Sequence, residues 1–181
     1  GRLAEKEYNT FLDLAKKKIR PYVLYMECLK DETRPLEKIA QAKTRTISVS
    51  PLSATLVSKQ YTQGFASFLM YHHTWNGISV GIAPPTMDWD HLARDLLRHP
   101  NWICGDFEGW DSRLHPFLIT NCYRSILERF YDNSTEEDRN VRDVICNDIA
   151  YAWTVARGQI IGTTRGNPSG IQQTSILNST I

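Results

Sequence analysis

Apolar and polar positions alternate along this chain in two rhythms. Leu3, Phe11, Leu12, Leu14, Ala15 and Ile19 recur among Lys and Glu, a 3.6-residue rhythm that predicts an amphipathic helix over residues 4–19. Lys16, Lys17 and Lys18 fall at its end, where cations suit the helix dipole, and Pro21 stops it. Residues 22–29 read as an extended segment or a turn. The β-branched run Thr46 to Ser50 predicts a strand, which carries back to put Lys43 and Arg45 on one side. Pro51 breaks it. Residues 52–70 predict a helix with Leu56, Val57, Tyr61, Phe65, Phe68 and Leu69 on its apolar face. A loop over 77–85 leads to a short helix capped by Asp88 and running to about Arg98. Trp102 to Asp106 reads as a short apolar strand, followed by a turn at Gly109. Pro116 suits a first helical position, and the helix it opens runs to about Tyr131 with Ile119, Cys122, Tyr123, Ile126, Leu127 and Phe130 as its stripe. Ser134 or Thr135 caps a further helix through about Ala150. Residues 151–155 and 159–163 then flank Arg157-Gly158, a hairpin signal.

The last sixteen residues, 166–181, are organised differently. Gly166, Pro168 and Gly170 punctuate a loop. No breaker follows, and Ile171, Ser175 and Asn178 recur at helical spacing. Thr174 and Asn178 stand four apart, so a helix puts their polar ends on one face. Ser169 on a Gly-flanked turn leads into that face, an arrangement suited to reading a sugar and its phosphates. Pro-Ser-Gly is also a common turn, and Ser before a helix is an ordinary cap.

Asp106 and Asp111 lie at and just after the end of the Trp102 strand, with no Lys or Arg between them. Carboxylates so placed suit a hard divalent cation that keeps room for substrate phosphates. Two ions about 4 Å apart clamp the attacking and leaving oxygens of a phosphoryl displacement. His72-His73 is a weaker metal signal, because adjacent residues do not share a helical face. Cys28, Cys104, Cys122 and Cys146 form no Cys-x-x-Cys pair and read as reduced thiols in a cytosolic setting. Asn133-Ser134-Thr135 matches a glycosylation sequon in letters only.

Charge changes the picture more than composition does. At 41% hydrophobic and 23% charged the chain is ordinary for a soluble globular protein of 181 residues, and no apolar run approaches a membrane span. The net charge of +1 hides an asymmetry. Residues 1–50 hold 11 Lys/Arg against 7 Asp/Glu, whereas residues 101–150 hold 5 against 10. A basic front and an acidic middle suit a protein that grips phosphates with one part and metals with another. The chain does not begin with Met and reads as a piece of something longer.

Lys30-Asp-Glu-Thr-Arg-Pro-Leu-Glu-Lys-Ile-Ala-Gln-Ala-Lys-Thr-Arg45 completes a set of three motifs. It resembles the basic fingers motif of picornavirus-like RNA-dependent RNA polymerases (the picorna, dicistro and iflavirus type). The Asp106/Asp111 stretch resembles their palm motif A, and Gly166 to Ser179 resembles their motif B. The three stand in the family's order, and the resemblance runs from Lys30 to Ile181. Ala42 departs from the pattern, standing where a relative often has Gly.

The resemblance implies a mixed α/β (α+β) fold: right-hand polymerase fingers over residues 1–100, and a partial palm over 101–181 that ends before the Gly-Asp-Asp hairpin and thumb. It implies template-directed nucleotidyl transfer to an RNA 3′-hydroxyl by a two-metal mechanism using Mg²⁺ or Mn²⁺. Asp106 is then the catalytic residue and a metal ligand, with the Phe107 carbonyl as a further ligand. Lys30, Arg34, Lys43 and Arg45 meet the incoming triphosphate. Asp111 pairs with Asn178 near the ribose 2′-hydroxyl, with Thr174 and Ser169 beside them. The partners implied are an RNA template and primer, ribonucleoside triphosphates, the rest of the polymerase and a viral polyprotein. The setting implied is host cytoplasm at membrane-associated replication complexes.

No Gly-Asp-Asp occurs here, so the 181 residues alone are expected to be inactive. A noncatalytic RNA- or nucleotide-binding module is the main alternative. A metal-dependent hydrolase would have no use for Asn178 or Ser169. A DNA polymerase or reverse transcriptase would place a bulky steric gate near the sugar.

Overall fold

A computed structural model of the chain describes residues 1–171 and 173–181. Helix α1 (Arg2–Lys16) buries Phe11 and Ala15, one turn apart. It ends before Pro21 is reached. Lys18 takes a left-handed φ of 60°, so that its N–H donates to the Ala15 carbonyl (2.9 Å) and the Ile19 N–H to that of Leu14 (3.0 Å). This is the reversal that usually uses glycine. Strand β1 (Leu24–Leu29) then follows, the extended outcome for residues 22–29.

The basic stretch holds an element that periodicity did not predict. Pro35 fixes the backbone ahead of the short helix α2 (Leu36–Ala40). Ala42 closes it at φ 52°, taking with a Cβ the conformation that glycine takes freely. Strand β2 (Thr46–Val49) starts only afterwards. Lys43 therefore lies outside any strand, and the expected strand-side pairing of Lys43 with Arg45 does not form.

Helix α3 (Leu52–Tyr71) buries Ala54, Val57, Thr62, Phe65, Ala66 and Leu69. Leu56 and Phe68, placed on its apolar face by the sequence reading, are 41% and 45% exposed. Helix α4 (Asp88–Leu96) starts at Asp88, which lies inside its first turn instead of capping it. The Asp88 carboxylate accepts the Ala83 N–H (3.2 Å) and faces His73 Nε2 at 3.5 Å, tying the preceding loop down. His72-His73 thus has an ordinary structural role.

Residues 101–107 form no strand. Trp102 is 70% and Ile103 99% exposed, and no described strand runs beside them. An apolar sequence becomes a strand only when a neighbour takes up its backbone N–H and C=O groups.

Helices α5 (Trp110–Arg113), α6 (Pro116–Cys122) and α7 (Glu128–Phe130) follow. A π-helical turn, Tyr123–Leu127, joins α6 to α7. It inserts a residue into the turn, and of the predicted stripe Leu127 is buried at 3% exposure while Ile126 is left 40% exposed. Helix α8 (Glu136–Ala150) begins with a capping box between Thr135 and Asp138. Its first turn carries Glu136, Glu137 and Asp138, which suit the positive end of the dipole. Strands β3 (Trp153–Ala156) and β4 (Gln159–Gly162) form the expected hairpin. Arg157 and Gly158 both have positive φ, as a type I′ turn requires. Helix α9 (Thr174–Thr180) closes the chain.

The sheet order is β2-β1-β3-β4. The hairpin pairs β1–β2 and β3–β4 are antiparallel, and β1 pairs with β3 in parallel. That parallel pair joins residues far apart in sequence, and α1 and α3 both pack on α8. Sheet and core therefore run continuously across residue 100. No described helix is long and apolar enough to cross a membrane.

The Asp148 side chain on α8 is buried, 3% exposed. Arg20 Nε donates to it, and Arg20 Nη2 donates to the Tyr151 carbonyl (2.6 Å). Burial raises the Asp148 carboxyl to about 6, and Arg20 opposes this without cancelling it. The unfolded chain releases that proton first. The carboxyl's stability contribution is therefore full below about 3.8 and is lost as pH rises through about 6. Asp148→Asn is expected to remove this part of the pH dependence, read by urea unfolding at several pH values. A pH slope equal to the parent's would contradict the burial effect.

Candidate functional site

The loop 166–170 is held where two backbones come closer than any side chain would permit. Gly166 has φ 97°, and a Cβ there would sit 2.8 Å from the Asp111 carbonyl oxygen. In its absence the Gly166 N–H donates to the Leu114 carbonyl (2.7 Å) and the Asn167 N–H to that of Asp111 (2.7 Å). At the other end, a Cβ on Gly170 would lie 2.2 Å from the Ser48 carbonyl oxygen. Gly170 instead bridges Val49 at the end of β2. The two glycines wedge the loop between α5 and β2.

That wedge brings Asp111 to α9. Asn178 Nδ2 donates to Asp111 Oδ1 at 3.0 Å. Asn167 Nδ2 donates in turn to Asn178 Oδ1 at 2.8 Å. Thr174 Oγ1 donates toward the Pro168 and Ile171 carbonyls (3.0 and 2.9 Å), bracing the loop from the helix start. The Ser169 hydroxyl reaches toward the Thr46 carbonyl at 3.5 Å. Behind α9, the buried Tyr123 hydroxyl donates to Gln173 Oε1 (3.0 Å).

The cations arrive from the sheet. Leu29 pairs with Thr46 across β1 and β2, and one step further the Lys30 N–H donates to the Arg45 carbonyl at 2.9 Å. Lys30 and Arg45 thus stand opposite each other past the strand ends. Glu32 gathers them: Lys30 Nζ lies 3.2 Å, Arg34 Nε 3.0 Å and Arg45 Nη1 3.6 Å from its carboxylate. Burial pushes the Glu32 carboxyl up, but Lys30, Arg45 and Arg34 outweigh it and hold the group below the usual range. On β1, Glu27 accepts a short hydrogen bond from the Ser48 hydroxyl.

An open cleft of about 790 Å³ lies between these parts. Lys30, Arg45, Asp111, Ser169, Thr174 and Asn178 all line it, joined by Glu27, Ser48, Arg165 and Asn167. Lys43 and Arg34 do not. Arg34 turns to Glu32, and Lys43 is exposed on the turn after α2. Asp106 and Phe107 also lie outside the lining. Both are exposed on residues 101–107, and the Phe107 ring sits 4.7 Å from that of Trp110. Of the predicted site residues, the cleft thus brings together Lys30, Arg45, Asp111, Ser169, Thr174 and Asn178, and leaves Arg34, Lys43, Asp106 and Phe107 outside it.

Among the described residues, no three or more His, Cys, Asp or Glu side chains gather as a metal would need. The residues present do not make a divalent-metal site by themselves, and no step through a metal follows from them. Glu27, Arg165 and Asn167 are among the cleft residues that escaped the sequence reading. Arg165 stands directly before Gly166, a position that could have flagged it. Asn167 was read only as part of a breaker loop, and Glu27 only as part of an extended segment.

This fold is found in known proteins. The chain superposes on a solved sicinivirus 3Dpol RNA-dependent RNA polymerase with a TM-score of 0.79 at 20% identity, covering 98% of this chain and 36% of that one. The fold is thus part of a right-hand polymerase. Residues 1–181 match the viral RNA-dependent RNA polymerase family over their whole length, and the chain belongs to that family. It is 31% identical over 171 residues to the replicase polyprotein of acute bee paralysis virus (strain Rothamsted), covering 94% of this chain and 9% of that polyprotein. Against the replicase polyprotein of cricket paralysis virus it is 31% identical over 183 residues, covering 96% and 10%. Against the genome polyprotein of human hepatitis A virus genotype IIIB it is 29% identical over 163 residues, covering 88% and 7%. The chain spans a tenth or less of each of these polyproteins.

The close approach at Gly170 yields a direct test. Gly170→Ala sets a methyl group against backbone, which cannot swing aside, so a destabilisation of about 2–4 kcal/mol is expected. Urea unfolding measures it, and a variant within about 0.5 kcal/mol of the parent would show that the loop moves freely off β2.

Proposed function

We propose that these residues form part of the nucleotide site of a viral RNA-directed RNA polymerase, which carries out template-directed transfer of nucleotides to an RNA 3′-hydroxyl. The observation that carries the reading is the Asn178–Asp111 hydrogen bond of 3.0 Å, set in one cleft with Lys30 and Arg45. An amide and a carboxylate held against each other offer both a donor and an acceptor to a sugar hydroxyl. A site built around a hydroxyl rejects the analogue lacking it, because its buried polar groups are left unpaired. Ser169 and Thr174 extend that wall.

On the other side, Arg45 grips phosphate oxygens as a planar fork, and Lys30 acts as a point charge. Lys43 and Arg34, outside the cleft, belong to the path along which the triphosphate arrives. Residues 1–100 act as the fingers portion and 101–181 as a partial palm. RNA template and primer, the remainder of the polymerase and a polyprotein origin complete the reading, at membrane-associated replication complexes in host cytoplasm.

Viral RNA polymerases work with divalent metal ions. Asp106 is exposed, with no hydrogen bond or ion pair among the described residues. It is free to give one carboxylate, with the Phe107 carbonyl beside it, to a Mg²⁺ or Mn²⁺ site completed by residues beyond these 181. The two-metal form of the reaction requires those further ligands.

The 181 residues alone are expected not to extend an RNA primer in Mg²⁺. In the polymerase that contains them, Asp106→Asn is expected to lower primer extension roughly a thousandfold or more, with RNA binding retained. Extension at the parent rate by that variant would overturn the assignment and favour a noncatalytic nucleotide-binding role.

A further inference from the structure

Asn167 is 4% exposed and makes two contacts with the pair just described. Its backbone N–H donates to the Asp111 carbonyl (2.7 Å), and its side-chain Nδ2 donates to Asn178 Oδ1 (2.8 Å). With the Asn178–Asp111 bond these contacts close a ring of three residues. The chemistry dictates the direction of every bond in it. An ionised carboxylate only accepts, so Asn178 must turn its NH₂ to Asp111. Its carbonyl oxygen then points the other way and needs a donor, which Asn167 supplies. Asn167 keeps its own Oδ1 buried with no partner among the described residues. An orphaned buried acceptor costs free energy, because it gives up its hydrogen bonds to water without replacement. The fold tolerates that cost at a residue whose NH₂ end is in use.

We infer that Asn167 is a positioning residue for sugar discrimination: it locks the Asn178 amide in the one orientation that presents it correctly beside Asp111. The inference rests on the ribose-reading role proposed for Asp111 and Asn178. Asn167 does not touch the sugar and acts through Asn178. The position lies inside the Gly166–Gly170 loop, so its hold on Asn178 also depends on the loop staying seated.

Asn167→Asp separates this role from a merely structural one, since it keeps the side-chain size and removes the donor. A carboxylate there attracts the Asn178 NH₂ and turns the Asn178 oxygen toward Asp111, where it meets another acceptor. The measurement is kcat/KM for a ribonucleoside and the matching deoxynucleoside triphosphate in the polymerase containing this chain. Asn167→Asp is expected to lower the ribonucleotide value about tenfold and leave the deoxynucleotide value unchanged. Asn167→Ser, which keeps a donor, is expected to retain more of the ratio and also serves if the aspartate variant fails to fold. In an Asn178→Ala background, a substitution at 167 is expected to change the ratio less than twofold. Equal losses for both substrates, or an unchanged ratio in Asn167→Asp beside a lowered one in Asn178→Ala, would overturn the inference alone. An unchanged ratio in Asn178→Ala would remove the ribose-reading role beneath it.

Discussion

The arrangement depends on two places where backbone meets backbone. Gly166 lies against the Asp111 carbonyl and Gly170 against that of Ser48, each closer than a Cβ allows. Polar side chains then need reach only a short way. Asp111, Asn167 and Asn178 come from three segments of sequence, and their hydrogen bonds form because the main chain has already set their Cα atoms. Glycine at 166 also supplies a φ of 97°, so one residue meets both the conformational and the steric demand.

The cationic wall is organised by a different force. Glu32 draws Lys30, Arg34 and Arg45 together, one carboxylate against three cations. Ion pairs in reach of solvent contribute little individually, so this cluster orders the side chains without trapping them. It leaves an excess of two positive charges. The register of β1 against β2 decides which cations face the cleft: Lys30 and Arg45 are opposite, and Lys43 is carried off by the turn at Ala42.

Much of this was legible from local chemistry. The cap at Ser134 or Thr135, which the structure assigns to Thr135, the Arg157-Gly158 hairpin and the helix beyond Gly170, which starts at Thr174, each follow from a few neighbouring residues. The Asp111–Asn178 contact was legible only through family resemblance, since no periodicity links positions 67 residues apart. What stayed hidden depends on long-range or irregular geometry. The π turn left Ile126, on the predicted stripe, 40% exposed. The α2 turn removed Lys43 from the strand. The side-chain link from Asn167 to Asn178 depends on the folded loop, and the letters Gly-Asn-Pro do not display it.

Residues 101–107 carry a consequence for the chain in solution. Trp102 and Ile103 are almost bare, and the main chain between them lacks a ladder. Main chain of this kind leaves its N–H and C=O groups to water, so this stretch holds its course only through the residues on either side of it.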